Sequence, residues 1–564
     1  MKSLTIAATS LSAFLAASAA GTISFEDLAA RAGLNFVTNS SPTPNKNQPE
    51  TMVAGVALLD FDNDGYLDVF FVNGASIPSL DKQAPIYWNR LFHNNRNGTF
   101  SDVTTQAGVA GIGYGMGAAV GDYDNDGYPD LYVVNVTKNQ LLHNNRDGTF
   151  SDVTDKAGVG GGILGGKKMW SVSALWIDYD NDGFVDLFVS NYCKWEVNQD
   201  PFCGPNPQTR AYCHPKQYAP LPNTLYHNNG DGTFTDVSRE MGISGKYGKG
   251  MGAAMADYDG DGFMDVFVAN DTLPNFLFHN VGGRKFEEVG MQSGVAYEQS
   301  ANALSGMGVD FKDVDNDGRP DIWHTAIENE SFPLYLNQGG GQFLEADDQG
   351  LVLRTRNMSG WSNGIYDFDN DGWKDLFVAR GNVLDNVALL SSRHYEEPNA
   401  VFRNLGNGRF LDVSAEAGAD FQVASPHRGV AFGDVDNDGR VDAILSVLGG
   451  RAKYFHNVSR NENHWVILRL IGTKSNRMGL GAQIRITGED GRKQYNEVTT
   501  AVGYACASDS RVHFGLGSSK TLREIDIQWP SRIHQTLRNV AADQVLTIEE
   551  SSAEPVLPPA KSQQ

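Results

Sequence analysis

The sequence predicts an all-β protein: a seven-bladed β-propeller closed by its own N-terminal strand, followed by a small C-terminal β-domain. Three observations predict it. One acidic nonapeptide recurs seven times along the 564 residues, each copy is flanked by short β-branched and aromatic runs, and the repeat is circularly offset. Repetition at such a period marks propellers and solenoids, and four short strands per unit is the propeller pattern.

The chain opens on a segment set apart from the repeats. In residues 1–20, Lys2 precedes a short apolar stretch from Leu4 to Leu15, and Ala17-Ser18-Ala19 supplies a cleavage site. This predicts a secretory signal peptide. Its apolar run is too short to span a bilayer. No Cys lies near the cut, so no lipoprotein anchor is expected, and no later segment carries 18 uninterrupted apolar residues. The mature chain is expected in the periplasm, at the cell surface or in the medium. The formal net charge of −23 is the opposite of a nucleic-acid-binding footprint and disfavours an anionic membrane surface.

The nonapeptides stand at 60–68, 122–130, 178–186, 257–265, 313–321, 367–375 and 434–442, all on the pattern D-x-D-x-D-G-x-x-D. Each leads into an apolar run such as DLYVVN (130–135), which reads as a strand. Each follows a run of small residues such as GMGAAVG (115–121). Five residues ahead of the first Asp stand Gly55, Gly117, Ser173, Gly252, Gly308, Ser362 and Gly429. Glycine inside a strand marks close backbone approach, which strands crowding a common axis require. A hairpin follows, as in LLHNNRDGTFSDV (141–153), turning at Asn/Asp-Gly.

The last hairpin strand carries Phe, then an acid two residues on, then Gly after eight: Phe100 to Gly108, Phe150 to Gly158, Phe234 to Gly242, Phe286 to Gly294 and Phe410 to Gly418. The copy at Phe343 is one residue shorter. A further copy, Phe25 to Gly33, precedes every acidic loop, and none follows the seventh. The strand near Ile23–Leu28 is therefore expected to pair with the strand around Tyr454–Asn457 and remove the open edge.

The seven units resemble FG-GAP/VCBS repeats, the repeats of integrin α-subunit propellers. Their order and spacing are similar to the cartilage acidic protein family of secreted proteins. NHWVILRLIGTKSNRMGLGAQIRI (463–486), GYACASDSRVHFGLG (503–517) and IDIQWPS (525–531) resemble the ASPIC/UnbV domain that ends that family. The resemblance implies a seven-bladed, calcium-loaded propeller, here over 21–460, with a C-terminal β-domain over 461–550; because 463–550 alternates apolar and polar residues and holds no acidic nonapeptide, that domain is expected to lie outside the ring, followed by a disordered tail over 551–564. It implies no established reaction.

Three carboxylates at alternate loop positions need a neutralising cation, and calcium takes six to eight oxygens. Positions 1, 3, 5 and 9 are the expected ligands, with a sharp turn at the Gly of position 6. They are Asp60, Asp62, Asp64 and Asp68; Asp122, Asp124, Asp126 and Asp130; Asp178, Asp180, Asp182 and Asp186; and Asp257, Asp259, Asp261 and Asp265. The last three loops supply Asp313, Asp315, Asp317 and Asp321; Asp367, Asp369, Asp371 and Asp375; and Asp434, Asp436, Asp438 and Asp442. An EF-hand would place Glu at position 12 on a helix; here position 12 is Phe71, Val133, Val189, Val268, His324, Val378 and Leu445, in a strand. Up to seven Ca2+ are expected.

Other chemistry is weaker. Gly360-Trp361-Ser362-Asn363-Gly364 matches a nucleophile elbow, but Ser362 fills the Gly/Ser position of an inner strand. His93, His143, His227, His279 and His456 share one hairpin position and read as structural, whereas His324, His394 and His427 do not repeat. Four cysteines allow three pairings. The paired-Cys insertion of the family implies Cys203 with Cys213; a zinc site from three Cys and His214 lacks any C-x-x-C spacing.

The leading expectation is an exported, monomeric calcium-binding propeller that binds a protein or glycan partner. The alternative is an extracellular polysaccharide-active enzyme, lyase or hydrolase, and the sequence leaves catalysis open. In either case the face opposite the calcium loops is expected to bind, because the loops there vary. Lys194 and Trp195 are the foremost candidates, and Trp170, Arg356, Arg380, His427 and Arg428 lie in or beside other non-repeating connections.

Overall fold

The computed structural model describes residues 23–551 apart from Asn198, Asp348 and Asn407. The expected leader, and the tail from residue 552 onward, lie outside the described residues. The protein is all-β, and its helices are short, the longest being Gln349–Thr355.

Seven sheets, each with its repeat strands paired antiparallel, carry the seven acidic loops. In the second, Gly115–Gly121, Asp130–Asn135, Gln140–Asn144 and Phe150–Asp152 pair in chain order. Its first two strands are buried throughout, while in the fourth only Phe150 is buried. The apolar runs therefore mark the inside of each sheet and the Phe motif its outer rim. Beyond Asp152 the chain makes one helical turn, Thr154–Ala157, ended by Gly158 at φ 80°. A left-handed cap favours a residue without Cβ, which explains the fixed Phe-to-Gly spacing. After Phe343 the longer helix Gln349–Thr355 replaces that turn.

The seventh sheet is His427–Gly433, Asp442–Val447 and Lys453–Asn457, and its fourth strand is Phe25–Asp27. Phe25 lies opposite Asn457, Glu26 opposite His456 and Asp27 opposite Phe455.

No strand ladder joins one of these seven sheets to the next among the described residues. Their first strands instead pack side by side at the Gly/Ser position. A Cβ on Gly55 would lie 2.8 Å from Gly117 Cα, one on Gly117 2.8 Å from Val172 O, and one on Gly308 2.4 Å from Trp361 O. Ser173 and Ser362 make the same approach by donating to Met251 O and Val430 O. A Cβ on Gly252 would meet Met307 O at 2.4 Å, and one on Gly429 would meet Ala54 O at 2.1 Å. Each first strand thus abuts the next, and the seventh abuts the segment entering the first.

The C-terminal strands form two further sheets. His464–Ile471 lies between Val512–Gly517 and Gln544–Glu549, and Gln483–Gly488 and Thr521–Gln528 lie between Lys493–Glu497 and His534–Ala541. One segment of this unit, 501–508, does not lie outside the repeats as expected. Ala501–Val502 and Cys506–Ala507 form a hairpin that adds to the first sheet, Ala507 running parallel opposite Ala57. Ala118 N donates to Ala505 O at 3.2 Å and Val309 exchanges two bonds with Gly503 at 3.2 and 2.8 Å. Tyr504 N donates to Ser362 Oγ (2.9 Å), Ala505 N to Ser173 Oγ (3.1 Å) and Phe432 N to Ser508 Oγ (3.1 Å). A Cβ on Gly252 would lie 2.8 Å from Gly503 O. Segment 503–508 thus touches the first strand of every sheet. The physical reason is size: small residues on both sides leave and fill the same narrow space. From the opposite side the buried turn Gln48–Thr51 closes in, and Tyr504 OH donates to Met52 O at 2.9 Å.

Phe25 is 2% exposed and stacks on Phe421 at 5.4 Å, with Phe368 and Phe377 at its edges. Phe25→Ala is therefore expected to cost about 3–5 kcal/mol in urea unfolding. Deleting residues 21–36 should leave Lys453–Asn457 as an open edge and cause aggregation; a soluble truncated monomer of unchanged stability would contradict this role of the strand.

Candidate metal centres

Each acidic loop links the first and second strands of its sheet, and its turn is built by its own aspartates. At position 1, Asp122 Oδ1 accepts from Asp126 N (3.0 Å) and Oδ2 from Gly127 N (2.7 Å), with Gly127 at φ 91°. At position 5, Asp126 Oδ1 accepts from Tyr128 N (2.9 Å). The position 9 aspartate begins the second strand and is the most enclosed. Asp130 Oδ2 accepts from Tyr123 N (3.2 Å) and Oδ1 from Asn144 N (2.8 Å). The hairpin His sits beside it: Nδ1 of His93, His143, His227, His279 and His456 lies 3.1–3.2 Å from the position 9 carboxylate. The same nitrogen is 3.5–3.9 Å from position 3. The repeated histidines are thus structural, as their periodicity suggests, but they belong to the acidic centres.

Position 3 is left with spare acceptors. Oδ1 of Asp124, Asp180 and Asp369 is sealed from solvent without a hydrogen-bond partner. Asp62, Asp64 and His93 each place one ligand atom within 4.8 Å of the others, as do Asp124, Asp126 and His143, and Asp180, Asp182 and His227. Burial, reinforced by neighbouring carboxylates, raises the enclosed aspartates at positions 1 and 9. Burial, then Asp130, pushes Asp122 up to about 8. Burial, then Asp442, does the same to Asp434, and burial lifts Asp186 and Asp265 to about 7. In turn the hydrogen bond to Asp186 pushes His227 up to about 9.

Two sets of asparagines, overlooked in the sequence, stitch each loop to its neighbours. At position 4, Asn63 Nδ2 donates to Gly127 O, Asn125 to Gly183 O and Asn181 to Gly262 O, each at 2.8 Å. Asn316 donates to Gly372 O, Asn370 to Gly439 O, and Asn437 to Gly65 O in the first loop, at 2.9–3.0 Å. The one missing link is the fourth, where position 4 is Gly260. In the hairpins, Asn94, Asn144, Asn228, Asn280, Asn337, Asn404 and Asn457 each donate to the position 2 carbonyl of the preceding loop, and Asn94 reaches Val435 of the seventh. The available signal was their recurrence, with left-handed φ at position 4 permitted to Asn and Gly.

The C-terminal sheets lie on this face and bond to it loop by loop. Arg469 Nη2 donates to Asn63 Oδ1 (2.9 Å), Arg477 N to Asn125 Oδ1 (2.8 Å) and Gln483 Nε2 to Asp257 Oδ2 (2.6 Å). Arg492 Nη1 donates to Asp371 O (2.6 Å), and Arg511 Nη1 to Asn437 Oδ1 (2.7 Å). Lys374 Nζ bridges Asp313 O and Tyr495 O. A Cβ on Gly183 of the third loop would lie 2.6 Å from Lys474 O.

The other sequence candidates fall elsewhere. Ser362 is buried against Tyr504 N. Arg428 is fully buried, stacked 4.1 Å over Trp361 and bonded to Thr51 O and Asn382 O. His427 is sealed against Arg380 O, and His324 is buried. Trp195 does not present a free ring: it packs on Trp170 at 5.9 Å and donates to Asp200 Oδ2 at 2.8 Å, while Lys194 is exposed. Cys203 and Cys213 are disulfide-bonded, and Cys193 and Cys506 are buried free thiols.

Known proteins are similar to this chain in sequence. A family model described as an FG-GAP-like repeat matches residues 60–133, 122–189, 218–268, 257–324 and 381–445, together more than half of the chain. A second, described as ASPIC and UnbV, matches residues 472–555. Cartilage acidic protein 1 of Mus musculus is 25% identical over 533 residues, covering 91% of this chain and 76% of that protein. The Homo sapiens protein is 25% identical over 544 residues, covering 91% and 74%. Among solved structures, an Agrocybe aegerita lectin recognising non-reducing terminal N-acetylglucosamine aligns with TM-score 0.40 at 16% identity, over 71% of this chain and 87% of the lectin. YCF48 bound to D1 peptide aligns with TM-score 0.41 at 8% identity, over 78% and 99%. The chain belongs to the FG-GAP-like repeat proteins and carries an ASPIC and UnbV domain after its repeats.

Proposed function

We propose that this chain is an exported, monomeric binding or adhesion module: a seven-bladed propeller over residues 21–460, closed by the strand at Phe25, loaded with up to seven Ca2+ and capped by residues 461–550. Its partner, a protein or a glycan, meets the face away from the acidic loops. The observation that carries this reading is the seating of the C-terminal unit on all seven acidic loops, which leaves the opposite face, with its variable connections, to a partner. Such surface loops commonly hold the binding residues.

The donor set fits a hard divalent cation. It consists of aspartate oxygens, several of them sealed without partners, and calcium is held by six to eight oxygens. Export is supported by the Cys203–Cys213 disulfide, a bond that persists in oxidising compartments. Among the described residues no helix is long and apolar enough to cross a membrane. A polysaccharide-active enzyme on the same face is the weaker reading, because His427 and Arg428, which could have served one, are buried and bonded to main-chain oxygens.

On the free face, Val37 and Ile86 are 50% and 62% exposed. They border a cavity of about 620 Å³ with Tyr212, Tyr395 and Asp385. Array screening of the calcium-loaded protein against glycans and proteins should return a ligand whose binding falls at least tenfold in Ile86→Asp. Val545→Asp, on the C-terminal unit, should leave it intact; the reverse pattern overturns the choice of face.

Calcium should raise the melting temperature strongly relative to chelator, since each ion bound only by the folded chain adds about 2.7 kcal/mol at 100-fold excess over Kd. The metal-free protein should also depend on pH in a defined sense. Carboxyls raised in the folded state bind more protons there than when unfolded, so stability falls as pH rises from about 4 to about 8. Calcium should flatten that slope. An unchanged melting temperature with no metal by elemental analysis would remove the calcium reading.

Closure makes a separate prediction at Gly260. It sits at φ 74° with nothing within 4 Å of a built Cβ. Gly260→Asn should supply the missing link to the fifth loop and raise stability by about 0.5–1.5 kcal/mol in denaturant titration.

A further inference from the structure

The seven acidic loops are not equivalent, and we infer that the sixth, Asp367–Asp375, is the weakest calcium site of the set, held back by Arg403 and loading last. The inference rests on the calcium reading above and adds to it a residue that ranks the sites. The residue before the hairpin Asn is His in five sheets, Leu336 in the fifth and Arg403 in the sixth.

The geometry at Arg403 differs from the others in kind. Its Nε lies 2.7 Å from Asp369 Oδ2 and its Nη2 2.9 Å from Asp371 Oδ2, with the arginine side chain 17% exposed and Asp369 fully enclosed. One guanidinium therefore bridges positions 3 and 5, two of the four expected ligands. Other loops also meet arginines at similar distances, but none of those spans two of the expected carboxylates: Arg511 reaches the seventh loop only through Asp434 O and Asn437 Oδ1. Arg96 and Arg146 are 54% and 57% exposed and pair only with position 5. Arg319 and Arg440 each pair with the position 5 aspartate of their own loop alone.

A guanidinium keeps its charge at any pH the protein survives. A divalent ion entering the sixth loop meets a fixed positive charge a few ångströms away in a poorly screened site, and that opposition is large on the scale of a tenfold change in affinity. The site is weakened rather than erased. Asp369 is 1% exposed, and its Oδ1 remains sealed without a partner, as at Asp124 and Asp180, where His takes the place of Arg.

The position of this loop gives its occupancy a readout. Asn461 Nδ2 and Asn463 Nδ2, in the link between the repeats and the C-terminal unit, both donate to Asp369 O, at 2.7 and 2.8 Å. Gly517 N donates to Asn370 O at 2.8 Å. The last ion to load is therefore bound where the cap is tied down.

The test is calcium titration of the full chain by equilibrium dialysis and calorimetry, in the native protein, Arg403→His and Arg403→Leu. The His variant restores the residue that five other sheets carry, so it guards against a variant that fails to fold. Native protein should show one ion bound at least tenfold more weakly than in either variant. Amide exchange at residues 461–463 should slow only as that ion binds, and at lower calcium in the variants. Seven equally tight ions in the native chain, or a last ion unaffected by both substitutions, would overturn the assignment to Arg403 alone. No bound calcium in any of the three proteins would instead remove the calcium reading, and this inference with it.

Discussion

The carboxylate at position 9 is the constraint on which each sheet depends. Asp130 accepts from the loop it closes, through Tyr123 N, and from the hairpin behind it, through Asn144 N. Two segments of chain are thereby fixed to one buried group. The hairpin asparagine so fixed then donates its amide to the preceding loop, at Phe61 O. A buried acceptor left unmade costs more than a made bond gains, so the geometry of one unit dictates that of the next. The repeat is an electrostatic unit before it is a hydrophobic one: its loops are fixed in Asp, Asn and Gly, while apart from the outer-strand Phe the core positions vary, the second strands holding Val, Leu, Ile, Phe, Tyr132, Trp323 and Ala443.

Two further sets of contacts act on top of this. Along the acidic face the position 4 asparagines carry the link from loop to loop, from Asn437 back to Gly65. In the middle, the Gly/Ser position lets first strands approach until only backbone and small side chains remain, and 503–508 fills what is left. Tyr504 is the exception in that segment, and its ring is accommodated against Trp361 at 5.3 Å, its hydroxyl on Met52 O. Helical pieces contribute little beyond turning the chain at each outer rim.

Much of this was legible in the residues. The nonapeptides located every loop, the Phe-to-Gly motif located every outer strand, and the displaced copy at Phe25 gave the pairing with Tyr454–Asn457 to within a residue. The Gly/Ser position told of close approach without telling to what. Three things were not legible. The seating of 500–509 depends on small residues that carry no pattern of their own. The role of Asn63 and its equivalents lies in side-chain bonds across a seam, which no strand or turn rule registers. Trp195 read as a free aromatic because it does not repeat, yet a single contact with Trp170 and one with Asp200 suffice to employ it within the insertion.

The pairing of Phe25 with Asn457 has a consequence for how the chain is made. The two residues are 432 positions apart, so the first strand emerges long before its partner exists. At the roughly 5–20 residues per second of synthesis, it waits about 20–90 s, and the segment that fills the middle is made later still. Contacts this distant in sequence slow folding. This strand must therefore stay unpaired until residues 455–457 emerge, a state exposed to aggregation if synthesis stalls.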